Sequence, residues 1–174
     1  MFLTVLTYIA IGLLAILAIF YLGLEVRFYR ALGRVREGFA DPEPLPKVSI
    51  LIAARNESEG IRETLDSVLS QDYEGEWEVW VADDRSTDDT PKILAEYEAK
   101  FERLHVLTID SIPEGVSPKK QALSKLIDAC NGEILCLTDA DCIVQPSWIK
   151  FLVKEFEPGI ELVAGHSYIP TDKS

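Results

Sequence analysis

Apolar residues fall along this chain in two regimes. From Phe2 to Leu24 no charged residue occurs. As a helix rising ~1.5 Å per residue, that run exceeds the ~20 residues needed to cross a bilayer core. It predicts a transmembrane helix over residues 1–24. A cleaved signal peptide fits less well, because Met1-Phe2-Leu3-Thr4 lacks a basic start and the run outlasts a usual signal core. From Lys47 onward the apolar positions come instead in short runs separated by amphipathic stretches. Val48 to Ala53 is nearly continuous and rich in β-branched residues, and Ile61, Leu65, Val68 and Leu69 follow at helical spacing. This predicts strand, loop and helix, with Asn56 or Ser58 capping the helix. Trp77 to Ala82 reads as a second strand, and Pro91 opens a helix whose stripe is Ile93, Leu94, Tyr97 and Phe101. Leu104 to Ile109 is a third strand, Lys119 to Ala129 a third helix with Ala122, Leu123, Leu126 and Ile127 inward, and Ile134 to Leu137 a fourth strand. Trp148, Phe151, Leu152 and Phe156 mark a further helix ahead of a fifth apolar run, Leu162-Val163-Ala164.

Strands alternating with helices of this length require βαβ crossovers. The fold class is therefore α/β: a Rossmann-like, mainly parallel sheet with helices on both faces, preceded by one transmembrane helix. Ligands on such sheets bind beyond the carboxyl ends of the strands. The loops after Ala53, Ala82 and Leu137 are thus where chemistry is expected.

Charge sharpens this division. The 174 residues carry 17 Lys+Arg against 29 Asp+Glu, a net charge of −12, which argues against a nucleic-acid partner. Residues 1–40 nevertheless sum to +2 through Arg27, Arg30, Arg34 and Arg36 against Glu25 and Glu37, leaving −14 for the rest. By the positive-inside bias these arginines put the following domain in the cytoplasm, on a single-pass anchor in the inner (plasma) membrane. Residues 25–46 form a basic juxtamembrane segment and a Pro-rich spacer, Asp41-Pro42-Glu43-Pro44-Leu45-Pro46, and residues 47–174 form the soluble domain. Cys130, Cys136 and Cys142 contain no C-x-x-C pair and read as reduced thiols, and two histidines are too few for an ordinary Cys/His zinc cage.

Thr138-Asp139-Ala140-Asp141 ends an apolar run with two carboxylates one residue apart. On an ideal strand they point to opposite faces, so they share a ligand only if the chain turns after Asp139. Two readings stand: a solvated turn, or hard oxygen ligands for Mg²⁺ or Mn²⁺ that neutralises a departing diphosphate. Asp83-Asp84 closes the second strand in the same manner and can accept from a nucleobase N–H or a ribose hydroxyl, while Asp88, Asp89 and Thr90 are placed to cap the next helix. Lys119 and Lys120 begin a helix where the dipole favours acidic residues, which points to an anionic ligand or to a solvated pair. Neither G-x-G-x-x-G nor a P-loop is present.

The order Val48 to Glu57, Ser67-Val68-Leu69-Ser70-Gln71, Val81 to Asp88, Lys119-Lys120-Gln121-Ala122-Leu123, and Gly132-Glu133 to Asp139-Ala140-Asp141 resembles the family 2 glycosyltransferases of GT-A fold. The resemblance covers about Lys47 to Gly165 and implies a nucleotide-sugar donor, with UDP favoured. By position it puts Ala53 and Glu57 in the nucleoside pocket, Asp83 and Asp84 on base and ribose, Lys119 near the donor, and Asp139 and Asp141 on a Mg²⁺ or Mn²⁺ ion, Asp139 also facing the donor. Arg55 stands where the family varies. Membrane-tethered members imply a glycan or lipid acceptor, in a cell-surface polysaccharide or glycolipid. The family's acceptor half, with its catalytic carboxylate, is expected beyond Ser174, so the catalytic residue is unknown. His166 and Asp172 are the remaining candidates for a base. A non-catalytic nucleotide-sugar-binding module and, less well matched, a nucleotidyltransferase are the alternatives.

Overall fold

The structure is a computed structural model describing residues 2–32, 42–156 and 159–165. Its contacts divide the chain into two compact units, Met1–Phe39 and Ala40–Ser174. In the first, α1 (Phe2–Leu32) continues beyond the charge-free run to include Arg27 and Arg30. Ala10–Tyr29 has a mean hydropathy of 2.0 and is long and apolar enough to cross a membrane. Leu14, Ile19 and Phe20 are all more than half exposed. Arg34 and Arg36 lie outside the described residues.

The second unit is built from β1 (Val48–Ala54), α2 (Ile61–Leu69), β2 (Trp77–Asp84), α3 (Thr90–Lys100), β3 (Leu104–Ile109), α4 (Pro118–Ala129), β4 (Ile134–Asp139) and α5 (Trp148–Lys154). The strands form one parallel sheet in the order β3-β2-β1-β4. β1 lies between two partners and is almost wholly buried, hence its continuous apolar sequence. Its alternate side chains feed separate cores. Ile50 and Ile52 pack with Leu65, Leu94 and Ile149 of α2, α3 and α5, whereas Leu51 packs with Ala122 and Leu126 of α4. Helices therefore cover both faces, as the alternation of elements predicts.

Several local expectations change. α2 starts after Gly60 with no side-chain cap: the Asn56 side chain accepts from Thr87 N instead, and Ser58 meets the neighbouring loop through its backbone amide. Ile127, expected inward, is 48% exposed, and Phe151, one of the residues that mark the last helix, is 65% exposed. α4 presents a narrow stripe to the sheet, with Ala122 and Leu126 fully buried and Leu123 at its margin. Leu162-Val163-Ala164 joins no strand, and Phe156 lies past the end of α5. β2 and β4 run on through Asp84 and Asp139, since pairing with β3 and β1 continues that far.

β4 reaches the free side of β1 by passing close beneath the start of that strand. Gly132 makes the approach possible: a Cβ there would lie 2.5 Å from the Ser49 backbone nitrogen. Gly132 N donates to Ser49 Oγ (2.8 Å), Ser49 Oγ donates to Glu78 Oε1 (2.7 Å), and Asn131 N donates to the same oxygen (3.0 Å). Burial alone would push the Glu78 carboxyl up, but these donors hold it below its ordinary value. Gly132→Ala is expected to destabilise the domain by ~1–3 kcal/mol, the cost of forcing a methyl group against backbone that cannot retreat. A lowered unfolding midpoint checks it, and an unchanged midpoint would show that the crossing is looser than its geometry.

Candidate functional site

The crossing sets the level of the strand ends. Ala53 pairs with Ala82 on one side and Asp139 on the other, and Asp84 pairs with Ile109. The chain moves outward from β1 to β2 and β3, then returns to place β4 on the opposite side, so a crevice opens between β1 and β4. A cleft of about 300 Å³ occupies this end of the sheet. Its floor is Ala53 and Ala54, whose small side chains leave the space open. Arg55, Glu57 and Asp84 contribute from the β1 and β2 ends, Pro118, Lys119 and Ala122 from α4, and Asp139, Ala140 and Asp141 from β4 and the following turn.

The loops after β1 and β2 are laced together. Asn56 and Arg85 both adopt left-handed backbone, each with φ of 56°. Asn56 N donates to Ser86 Oγ (2.9 Å) and Thr87 N donates back to Asn56 Oδ1 (2.8 Å). Glu57 N donates to Thr90 Oγ1 (2.9 Å). Asp88 accepts from Ser58 N and Thr90 N (3.1 and 3.0 Å); hydrogen bonds from Thr90, its side chain first, and from Ser58 hold the carboxyl well below the usual carboxylate range. Asp88 thus fastens the two loops, while Asp89 stands at the N-cap without a side-chain bond.

The sequence-predicted site residues separate by position. Six converge on the cleft: Ala53, Glu57, Asp84, Lys119, Asp139 and Asp141. Asp83, the seventh, is buried beside it and accepts from Ser86 N (3.3 Å). The pleat explains this, because Asp84 shares the α4 side of the sheet with Ala82, while Asp83 points the other way. Asp84 is 4% exposed and accepts from Arg85 Nε (2.9 Å). The chain turns directly after Asp139, with Cys142 N donating to Asp139 O (3.3 Å), so both aspartates of the D-x-D border one space. Lys119 Nζ lies 2.5 Å from Asp139 Oδ1, with both side chains more than half exposed. His166 and Asp172 fall outside the described residues. Arg55 and Ala54 line the cleft without any assigned role in the sequence reading. Thr64 was also missed: its hydroxyl donates to Ala140 O (2.8 Å), and its sign in the sequence is a polar residue on the apolar side of α2.

Negative charge accumulates here. Glu57 is pushed above its ordinary value, first by burial and then by Asp141, Asp88 and Asp139. A hard divalent cation suits such a donor set. Among the described residues no three His, Cys, Asp or Glu side chains form a ready cage. Ions held by one or two carboxylates typically complete their shell with water and substrate phosphates.

Residues 49–174 match the profile "Glycosyl transferase family 2". The chain belongs to that family. A beta-monoglucosyldiacylglycerol synthase of Nostoc sp. is 36% identical over 159 residues, covering 86% of this chain and 33% of that protein. The family 2 chain thus spans about a third of the length of that synthase. Among solved structures, the mannosyltransferase PcManGT of Pyrobaculum calidifontis, in complex with GDP-Man and Mn²⁺, superposes with a TM-score of 0.63 at 26% identity, covering 81% of this chain and 42% of that one. TarS 1-349 of S. aureus, in complex with UDP-GlcNAc, does so with a TM-score of 0.50 at 31% identity, covering 60% and 29%. The fold of the second unit is accordingly of GT-A type.

Asp88 carries a pH prediction. A carboxyl depressed by folding contributes stability above its unfolded pKa of ~3.9, and that contribution is lost as pH falls through its lower folded value. Asp88→Asn is expected to melt earlier than the parent at pH 7, with the gap closing as pH falls below ~4. A gap that stays constant down to acid pH would show that charge at Asp88 is not what fastens the loops.

Proposed function

We propose that this chain supplies the donor-binding part of a membrane-anchored glycosyltransferase. It takes sugar from a nucleotide diphosphate sugar, with UDP-sugar favoured, and the product is a cell-surface polysaccharide or glycolipid. The observation that carries this reading is the convergence of Asp84, Lys119, Asp139 and Asp141 on one cleft at the β1/β4 crevice. UDP is favoured because, of the two nucleotide-sugar complexes, the one with the higher sequence identity, 31% against 26%, holds UDP-GlcNAc. The diacylglycerol product in the name of the 36% identical synthase favours a lipid acceptor.

In this reading Ala53 and Glu57 border the nucleoside. Asp84, its carboxylate steadied by Arg85, accepts from ribose or base, and Asp83 supports the loop that carries them. Asp139 and Asp141 would hold Mg²⁺ or Mn²⁺, which supplies positive charge to the leaving diphosphate. Lys119, paired with Asp139, would be free to meet a phosphate oxygen once Asp139 is engaged elsewhere. Breaking the pair costs little, since exposed ion pairs are worth ~0–1 kcal/mol.

The proposal extends to the anchor. α1 is apolar on all sides, and an exposed apolar surface of this extent calls for a lipid surround. Arg27 and Arg30 then mark its cytoplasmic end, and the acidic domain remains in the cytoplasm.

Two measurements test these points. In titration calorimetry of the full chain in detergent, UDP is expected to bind at least about tenfold more tightly with Mn²⁺ than in EDTA, because the aspartates otherwise face the diphosphate unscreened. Asp84→Ala should lose a further ~10- to 100-fold, the range of a hydrogen bond to a charged acceptor. Equal affinity in EDTA would remove the metal role. For topology, green fluorescent protein fused after Ser174 is expected to fluoresce, while alkaline phosphatase at the same place stays inactive. The reverse pattern would invert the orientation.

A further inference from the structure

The segment Ser67 to Gln71 forms no part of the cleft, yet it sits in a line of buried polar side chains. Thr64, Ser67 and Gln71 recur at helical spacing along α2 and its final turn, and are 1%, 9% and 8% exposed. Their neighbours Ile61, Leu65 and Val68 pack in the core, where an unpaired hydroxyl or amide would be costly. Thr64 finds its partner within the D-x-D itself, Ser67 and Gln71 theirs in the loop that follows it. Thr64 Oγ1 donates to Ala140 O (2.8 Å). Ser67 Oγ donates to Thr64 O (2.8 Å) and accepts from Val144 N (3.1 Å). Gln71 Nε2 donates to Gln145 O (2.9 Å), and its Oε1 accepts from Ile149 N (3.1 Å). Asp72 N adds a bond to Pro146 O (2.7 Å).

Ala140 stands between the two aspartates and is itself 3% exposed. Fixing its carbonyl orients the peptide planes on either side, which set the directions of the Asp139 and Asp141 side chains. We infer that Thr64 and Ser67 are positioning residues for the D-x-D: α2 holds the loop in the one conformation that turns both carboxylates into the cleft. Gln71, bonded farther along, anchors the loop's return to α5. The inference rests on the reading of Asp139 and Asp141 as metal ligands. It predicts a gradient, in which Thr64 affects ion binding most and Gln71 affects mainly stability.

The test uses the full chain in detergent micelles, with Mn²⁺ titrated alone and the free ion followed by electron paramagnetic resonance. Each variant's thermal midpoint is measured alongside. Thr64→Val keeps shape and removes the donor; it is expected to bind Mn²⁺ about fivefold more weakly, the order of one net hydrogen bond. Thr64→Ser restores the hydroxyl and should bind within about twofold of the parent, even though it gives up a buried methyl group and lowers the midpoint. Ser67→Ala, which drops the Val144 bond, gives the same decision should Thr64→Val not fold. Parent-like Mn²⁺ affinity in Thr64→Val or, where that does not fold, in Ser67→Ala overturns the positioning role alone, as does an equal loss in Thr64→Ser. A parent whose Mn²⁺ binding is unchanged by Asp139→Asn instead overturns the metal reading, and this inference with it.

Discussion

The site depends on β1 being paired along both edges. A central parallel strand has no freedom of register once its two neighbours are fixed, because a slip of one residue would turn Leu51 and Ile52 toward the wrong cores. With β1 held, Ala53 lies level with Asp139, and Asp84 ends one pleat beyond Ala82. The carboxylates of two different strands thereby reach the same edge. The position of β4 depends in turn on the passage beneath Val48 and Ser49, where only Gly132 fits. The Ser49 hydroxyl and the Glu78 carboxylate satisfy the backbone amides of that passage. A buried polar cluster at one end of the sheet thus governs the geometry of the cleft at the other.

How each carboxylate is stabilised separates structural from ligand-facing roles. Asp88 is bound by backbone amides on both oxygens and has little left to offer a ligand. Asp83 likewise turns to a backbone amide. Asp84 is paired with a side chain and still borders the cleft. Glu57 is bound through its backbone nitrogen, and its carboxyl is raised first by burial and then by the like charge around it. Fixed amides hold the loops in place, so that the remaining carboxylates can face one another without the fold giving way.

The fold was legible because each two-sided strand writes itself as a continuous apolar run, and each helix as a 3.6-residue stripe. Both signals are local. The breadth of the sheet beneath a helix is not local, which is why the stripe of α4 counts Ile127 inward although it is exposed. Asn56 has the right chemistry for a cap, but its left-handed backbone turns the side chain to Thr87 instead. The D-x-D was legible as a pair awaiting a turn; the cause of the turn was not. That cause involves backbone atoms of residues 140 to 149, which leave no mark in side-chain identity, and polar residues on a helix face that periodicity alone would assign to the core.

Among the described residues, two ion pairs border the cleft, and their environments give them different behaviour. Asp84 has a side chain 6% exposed, so removing Arg85 from it would leave a poorly solvated charge. That pair is a fixed element of the wall. Lys119 and Asp139 are 61% and 58% exposed at their side chains, so water can take over either partner. On the proposed reading, a cation would compete for Asp139 against a weak interaction, and an anion would find Lys119 already at the mouth of the cleft. The exposed pair therefore keeps opposite charges stationed where a metal diphosphate would need them, at little cost when they part.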